Sequence, residues 1–255
     1  MPDAVVEERI DLAKFGPVQA SLVAEEPEEP MLNFILGAAE PGAVAAGHLA
    51  DAVEWLDSHG VDYRIPVTPG LAGSGATEDW LNRNGYERSA GWMTFCRDAS
   101  PPGIAEPPGI QIHELADSES ETTFSNMVAE GFDLPGWAST FFFDLPDQAG
   151  WRCYIAVDDY EVPIASAAML IHEGVAQFGL AATVETARGW GCHAALLRRR
   201  ILDAAEAGCR VLFGESLERD PERPSAAYRN LLRAGFKEAY LRPDWRLPRL
   251  AAAPY

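Results

Sequence analysis

The sequence predicts an α/β (α+β) chain built from two related halves, and three observations carry that prediction. A strand, a glycine-containing turn and a helix follow one another over 176–208. The order helix, Gly, strand, loop, helix, Gly-aromatic, strand occurs twice at nearly the same spacing, once through His59-Gly60-Val61-Asp62-Tyr63 and Gly85-Tyr86, and again through Ala207-Gly208-Cys209-Arg210-Val211 and Gly235-Phe236. Between the copies, Ala99 to Gly109 holds four prolines and two glycines, so it is neither helix nor central strand. The expected organisation is a domain at 1–98, a linker at 99–109 and a domain at 110–255.

Residues 1 to about 30 are poorly patterned, and Glu25-Glu26-Pro27-Glu28-Glu29-Pro30 reads as a solvated turn or loop. Met31 to Leu36 is an apolar strand. Leu49, Val53 and Leu56 then share one helical face that Gly60 ends, and Val61 to Val67 is a strand. Thr77 caps a short helix through Leu81, and Trp92 to Cys96 is the next strand. In the second half the reading is strand Ile110 to Glu114, helix Ser118 to Ala129, an aromatic stretch from Phe132 to Asp144, and strands Tyr154 to Val157 and Ile164 to Ile171. His172-Glu173-Gly174 turns into strand Ala176 to Val184; a helix through Leu197 and Ile201 ends at Gly208, and strand Val211 to Leu217 precedes the helix around Tyr228.

The chemistry concentrates where Thr183-Val184 runs into Arg188-Gly189-Trp190-Gly191-Cys192-His193-Ala194. Glycine at a strand-to-helix turn lets the backbone approach a ligand and aim free N–H groups at it. The positive end of the helix favours an anion there by roughly 0.3–1 kcal/mol. The turn therefore reads as a phosphate cradle. It is not a nucleoside-triphosphate loop, because no G-x-x-x-x-G-K-[ST] is present, and no G-x-G-x-x-G with its acidic ribose ligand occurs.

Composition narrows the partners. With 47% apolar residues the chain can pack a core, and no stretch approaches the ~20 apolar residues needed to cross a bilayer. With no secretory leader pattern either, a cytoplasmic location is expected. A net charge of −19, with Lys14 and Lys237 the only lysines, argues against nucleic acid or an anionic membrane as partner. Two readings of the acidity stand: the composition of a high-GC bacterial chain kept soluble, or a site lined for a cationic amine. Cys96, Cys153, Cys192 and Cys209 are scattered without C-x-x-C spacing, which implies reduced thiols and no zinc site.

Arg188-x-x-Gly191-x-His193 resembles the acetyl-CoA loop of the GNAT (GCN5-related) N-acetyltransferase superfamily, Arg/Gln-x-x-Gly-x-Gly/Ala, with His193 at the usual small position. The order β-α-α-β-β-β-α-β-α-β over about 110–245 is also that of a GNAT domain. The resemblance implies tandem GNAT folds, each a mixed, mostly antiparallel central sheet flanked by helices, the first a degenerate copy with Ala39-Glu40-Pro41-Gly42 in place of the loop. It implies acetyl-CoA (CoA) as cofactor, direct transfer of acetyl to a primary amine of a small molecule or peptide, and leaves a homodimer open. The cofactor-binding set it implies is Ala182, Thr183 and Val184, whose N–H groups would meet the thioester carbonyl and pantetheine, then Arg188, Gly189, Trp190, Gly191, Cys192, His193 and Ala194 around the phosphates, with Asn230 on the pantetheine.

Transfer from a thioester needs the amine held near the carbonyl and relieved of a proton, because a free lysine-type amine has a pKa near ~10.4. Glu215, on the strand beside the cradle strand, is the leading base; the competing reading is an edge-strand carboxylate facing water. In many GNAT proteins a tyrosine four residues before the Gly of Gly-Phe protonates the leaving thiolate, but Leu231 stands there. Tyr228, one helical turn away, is the substitute, with a half-buried structural tyrosine as the alternative. Lesser candidates are His172 and Glu173, His193 as base, and Cys192 with a thiol acidified by the helix end. Arg198-Arg199-Arg200 reads as a solvated helix face pairing with Asp203, or as a contact to the 3′-phosphate. Trp137 and Phe141 to Phe143, with Asp133 or Asp144, read either as an apolar pocket for an ammonium or as aromatic core packing. A non-catalytic acyl-CoA-binding or scaffold/sensor module is the alternative function.

Overall fold

The computed structural model describes residues 9–219, 222 and 224–248; the outer ends of the two expected domains, 1–8 and 249–255, lie outside it. The chain forms two compact units that divide at Met93/Thr94 and again at Ala239/Tyr240. Each division falls inside a long strand. The Pro/Gly-rich 99–109 segment lies within the second unit. A strand that continues from one unit into the other has no turn at its crossing, so composition carries no mark of it.

In the first unit, β1 (Asp11–Phe15) and β2 (Val18–Leu22) form a hairpin, and β3 (Phe34–Leu36) completes a three-stranded antiparallel sheet. These first strands lie in the stretch read from sequence as poorly patterned. Their alternation is broken because β1 is exposed along most of its length while β2 is buried nearly throughout. Helix α1 (His48–His59) follows and ends at left-handed Gly60. The expected strand 61–67 contracts to β4 (Ile65–Pro66). Helix α2 (Ser74–Arg83) starts one turn earlier than expected, so Thr77 is not its cap; it is buried inside the helix, with its hydroxyl donating to Ala38 O at 2.5 Å. Strand β5 (Glu87–Asp98) leads into the second unit, and the core gathers Leu22, Ile35, Leu49, Leu56 and Leu81.

The second unit follows the expected order closely: β6 (Gln111–Glu114), α3 (Ser118–Gly131), a 3₁₀ turn (Gly136–Ser139), α4 (Thr140–Phe143), β7 (Trp151–Val157), β8 (Pro163–His172), β9 (Val175–Thr183), α5 (Cys192–Glu206), β10 (Val211–Leu217), α6 (Ala226–Arg233) and β11 (Lys237–Arg246). A capping box starts α3, where Ser120 N–H donates to Asp117 Oδ1 at 2.8 Å. Strands β6 to β9 are antiparallel in sequence order, and β10 joins β9 in parallel, giving the order β5-β10-β9-β8-β7-β6. The sheet is thus mixed and mostly antiparallel. Phe124, Val128, Cys153, Ile155 and Ala168 pack α3 onto one face, and Tyr154 donates to Asp203 of α5 at 2.8 Å on the other.

Candidate active site

Two features of β9 open the site. Its pairing with β8 shifts register between Ser166 and Ala168, where Leu180 takes φ 51°, a left-handed conformation that a branched side chain rarely adopts. Its parallel ladder with β10 runs only from Val211↔Val175 to Gly214↔Phe178, although both strands continue beyond it. Past the bulge the two strands therefore run unladdered, leaving backbone groups of 179–183 and 215–217 without each other as partners. Gly131, at the end of α3, seats against Ala182 so closely that a Cβ there would fall 2.3 Å from the Ala182 Cβ. The aromatic stretch 132–144 starts from that contact.

Strand β9 then enters a 3₁₀ turn (Glu185–Ala187) and the glycine turn. Gly189 and Gly191 have φ 88° and 100°, and Gly191 is the N-cap of α5 with no side-chain cap. The first N–H groups of α5 are therefore the open, positive end of a fifteen-residue helix. Pro107 lies against Gly191, 3.1 Å from where a Cβ would stand. Arg188 and Trp190 are exposed at the rim.

Sequence reading missed what holds this turn in place. Arg200 is not a solvated arginine: it is buried under the bulge, its Nη1 donating to Ala168 O (2.9 Å) and Gly179 O (3.3 Å), its Nε to Leu196 O, and its plane 4.8 Å from the Phe178 ring centroid. Only its place at the centre of α5's buried stripe with Leu196, Leu197 and Ile201 hinted at this. Arg199 does pair with Asp203 at 2.8 Å, and Arg198 pairs with Glu106 at 3.3 Å.

The other expected residues sort as follows. Asn230 of α6 reaches the cradle, its Nδ2 3.3 Å from His193 Nδ1; the amide is the donor, so that nitrogen accepts and the ring is neutral. Burial and the charge of Arg200 push the His193 pKa down to about 3. Cys192 is buried, and burial raises its thiol pKa, so the helix end has not acidified it. Of the expected backbone donors, the N–H of Val184 is taken by Ile164 O at 3.0 Å. Glu215 lies half-buried on β10, one residue past the end of its ladder with β9, where Thr94 Oγ1 donates to it at 3.1 Å. Tyr228 is 2% exposed, set edge-on to Phe95, and its hydroxyl donates to Glu238; burial and that carboxylate push its pKa up to about 12. His172 and Glu173 are exposed at the hairpin before β9, the full length of that strand from the cradle. Trp137 and Phe141 stack edge-on, half-buried, with their centroids 5.3 Å apart.

No protein-family model matches the sequence, and no curated protein is significantly similar to it. The backbone is similar to that of a GCN5-related N-acetyltransferase from Kribbella flavida, with TM-score 0.66 and 17% identity over 96% of this chain and 92% of that one. The chain has the GNAT fold. A GCN5-related N-acetyltransferase from Sphaerobacter thermophilus gives TM-score 0.66 at 15% identity, over 90% of this chain and 76% of the other. A tandem GNAT protein from the clavulanic acid biosynthesis pathway gives 0.63 at 14%, over 92% and 79%.

Proposed function

We propose that the second unit is an acyltransferase that binds acetyl-CoA and passes the acetyl group to a primary amine. One observation carries the reading: the edge of β9 that β10 leaves unladdered leads through a 3₁₀ turn into an uncapped helix N-terminus preceded by two left-handed glycines. An edge of β9 that β10 does not ladder suits an amide-bearing arm, and the turn suits a pyrophosphate. Gly189, Gly191 and the first N–H groups of α5 would hold the phosphates, with Arg188 and Trp190 at the rim. Ala182 and Thr183 would face the arm, and Asn230, which orients His193, would close the cradle from α6. The bound cofactor supplies an activated thioester.

Glu215, which accepts from Thr94, would take a proton from the incoming ammonium so that the amine is the nucleophile. The segment 132–144, starting at the Gly131–Ala182 contact, is where the acceptor would lie. We read the first unit as a degenerate copy. Its order β1-β2-β3-α1-β4-α2-β5 repeats β7-β8-β9-α5-β10-α6-β11, and its parallel pairing is reduced to one bridge, Phe34↔Arg64. At the corresponding helix start the N–H of Leu49 is already taken by Ala43 O.

A non-catalytic acyl-CoA sensor is favoured by one specific feature, the engagement of Tyr228 with Glu238, which leaves no tyrosine hydroxyl for the departing thiolate. Thiol release from acetyl-CoA with a panel of primary amines decides between the two. Turnover that falls about 10²–10⁴-fold in Glu215→Gln supports the enzyme. Binding with no thiol release from any amine leaves the sensor.

A further inference from the structure

The 99–109 segment has no role in the reaction just described, yet it lines a cavity of about 560 Å³ in the second unit. Arg97, Arg210, Arg233 and Lys237 surround this cavity, with Asp98 as the one carboxylate on its wall. In a chain with 39 acidic residues against 20 lysines and arginines, this wall inverts the balance of the whole molecule. Asp98 is turned into its own loop, accepting from the N–H and hydroxyl of Ser100. Arg97 is fixed as part of the wall, lying over Phe236 and donating to the carbonyls of Asp98, Ser100 and Ala234. Arg210, Arg233 and Lys237 are exposed, and among the described residues none of them makes an ion pair within 4.0 Å. Arg97, Arg210, Arg233 and Lys237 line this one concavity with a single carboxylate, Asp98, against them, so the cations repel one another, a cost that a bound anion would reduce.

The cavity is not the glycine turn. Val211, on its wall, begins β10 beside Val175, and β9 must run on to Thr183 before the turn, about 26 Å at ~3.3 Å per residue; Arg233, whose Nη1 also donates to Asn230 Oδ1 at 3.5 Å, is the wall residue that reaches towards the cradle. The geometry points to a second ligand site, which takes a small polyanion carrying two or more phosphate or carboxylate groups. A single phosphate would fill little of the volume and meet few of the four cations. Two separated anionic groups engage the arginine forks from both walls. The site stands independently of the transferase reading.

Cys96 lines the same cavity and is partly exposed, whereas Cys153, Cys192 and Cys209 are buried. Alkylation of the native protein by N-ethylmaleimide, located by mass spectrometry, therefore reports on this cavity. Pyrophosphate and tricarballylate are the probes, against chloride at equal ionic strength. At ten times its midpoint concentration a bound probe slows Cys96 alkylation about tenfold. The Arg210→Gln/Arg233→Gln variant, altered only at exposed side chains, needs about tenfold more probe or greater for the same protection. Arg188→Ala, at the glycine turn, leaves protection unchanged. Protection by pyrophosphate alone identifies phosphates, and by tricarballylate alone carboxylates; either upholds the site. Absence of protection by both probes overturns it, as does equal protection by chloride, undiminished protection in the double variant, or loss of protection in Arg188→Ala.

Discussion

A guanidinium with 1% of its surface exposed ties the bulge of β9 to the helix that begins at the glycine turn. Among the described residues no carboxylate pairs with Arg200; carbonyl oxygens and the Phe178 ring satisfy it, and burial lowers its pKa to about 10, still charged at neutral pH. Arg200→Met strands Ala168 O and Gly179 O. It is expected to destabilise the protein by ~1–3 kcal/mol for each carbonyl left unpaired, read from urea unfolding midpoints. Its neighbour His193 gives a pH signature. With a folded-state pKa of about 3 against an ordinary 6.5, the unfolded chain binds the proton first, so His193 makes stability fall as pH drops from about 6.5 towards 3. The difference in Tm between wild type and His193→Gln should therefore shift against the wild type on going from pH 7.5 to 5, while the carboxylates shared by both proteins cancel. A difference independent of pH would show a histidine that titrates normally.

At the level of elements, the helices and strands of the second half were legible because their apolar residues keep a clear period; the predicted strand Val211 to Leu217 coincides with β10. The glycine turn was legible because φ near +90° at Gly189 and Gly191 leaves glycine as the suitable residue. Gly191→Ala is expected to cost about 1–2 kcal/mol from the left-handed backbone alone, with Pro107 adding to it, measurable by denaturant unfolding. What lay beyond reading was non-local. Nothing along the chain announces that β9 loses its ladder with β10 after Phe178, that Leu180 takes a left-handed φ, or that the Tyr228 hydroxyl is engaged by Glu238. The hairpin of β1 and β2 was missed because one strand is exposed and the other buried, so neither shows clean alternation.

At the scale of the whole chain, each unit is completed by strand residues that belong to the other half of the sequence: Thr94–Asp98 of β5 lie in the second unit and Tyr240–Arg246 of β11 in the first. Trp245, from the far end of the chain, pairs with Ile65 and is buried in the first unit's core. Trp245→Ala should thus destabilise the first unit by about 3–5 kcal/mol, seen as an earlier unfolding step by circular dichroism, although the residue lies far beyond the linker at 99–109 that a reader of the sequence would draw. The open helix start at α5 is where the binding proposed for the molecule falls. The most direct test is calorimetric titration of acetyl-CoA and CoA into the wild type and into the Arg188→Ala/Gly191→Asp variant. Saturable binding by the wild type that the variant loses is the predicted result; no binding by the wild type, or equal binding by both, would contradict it.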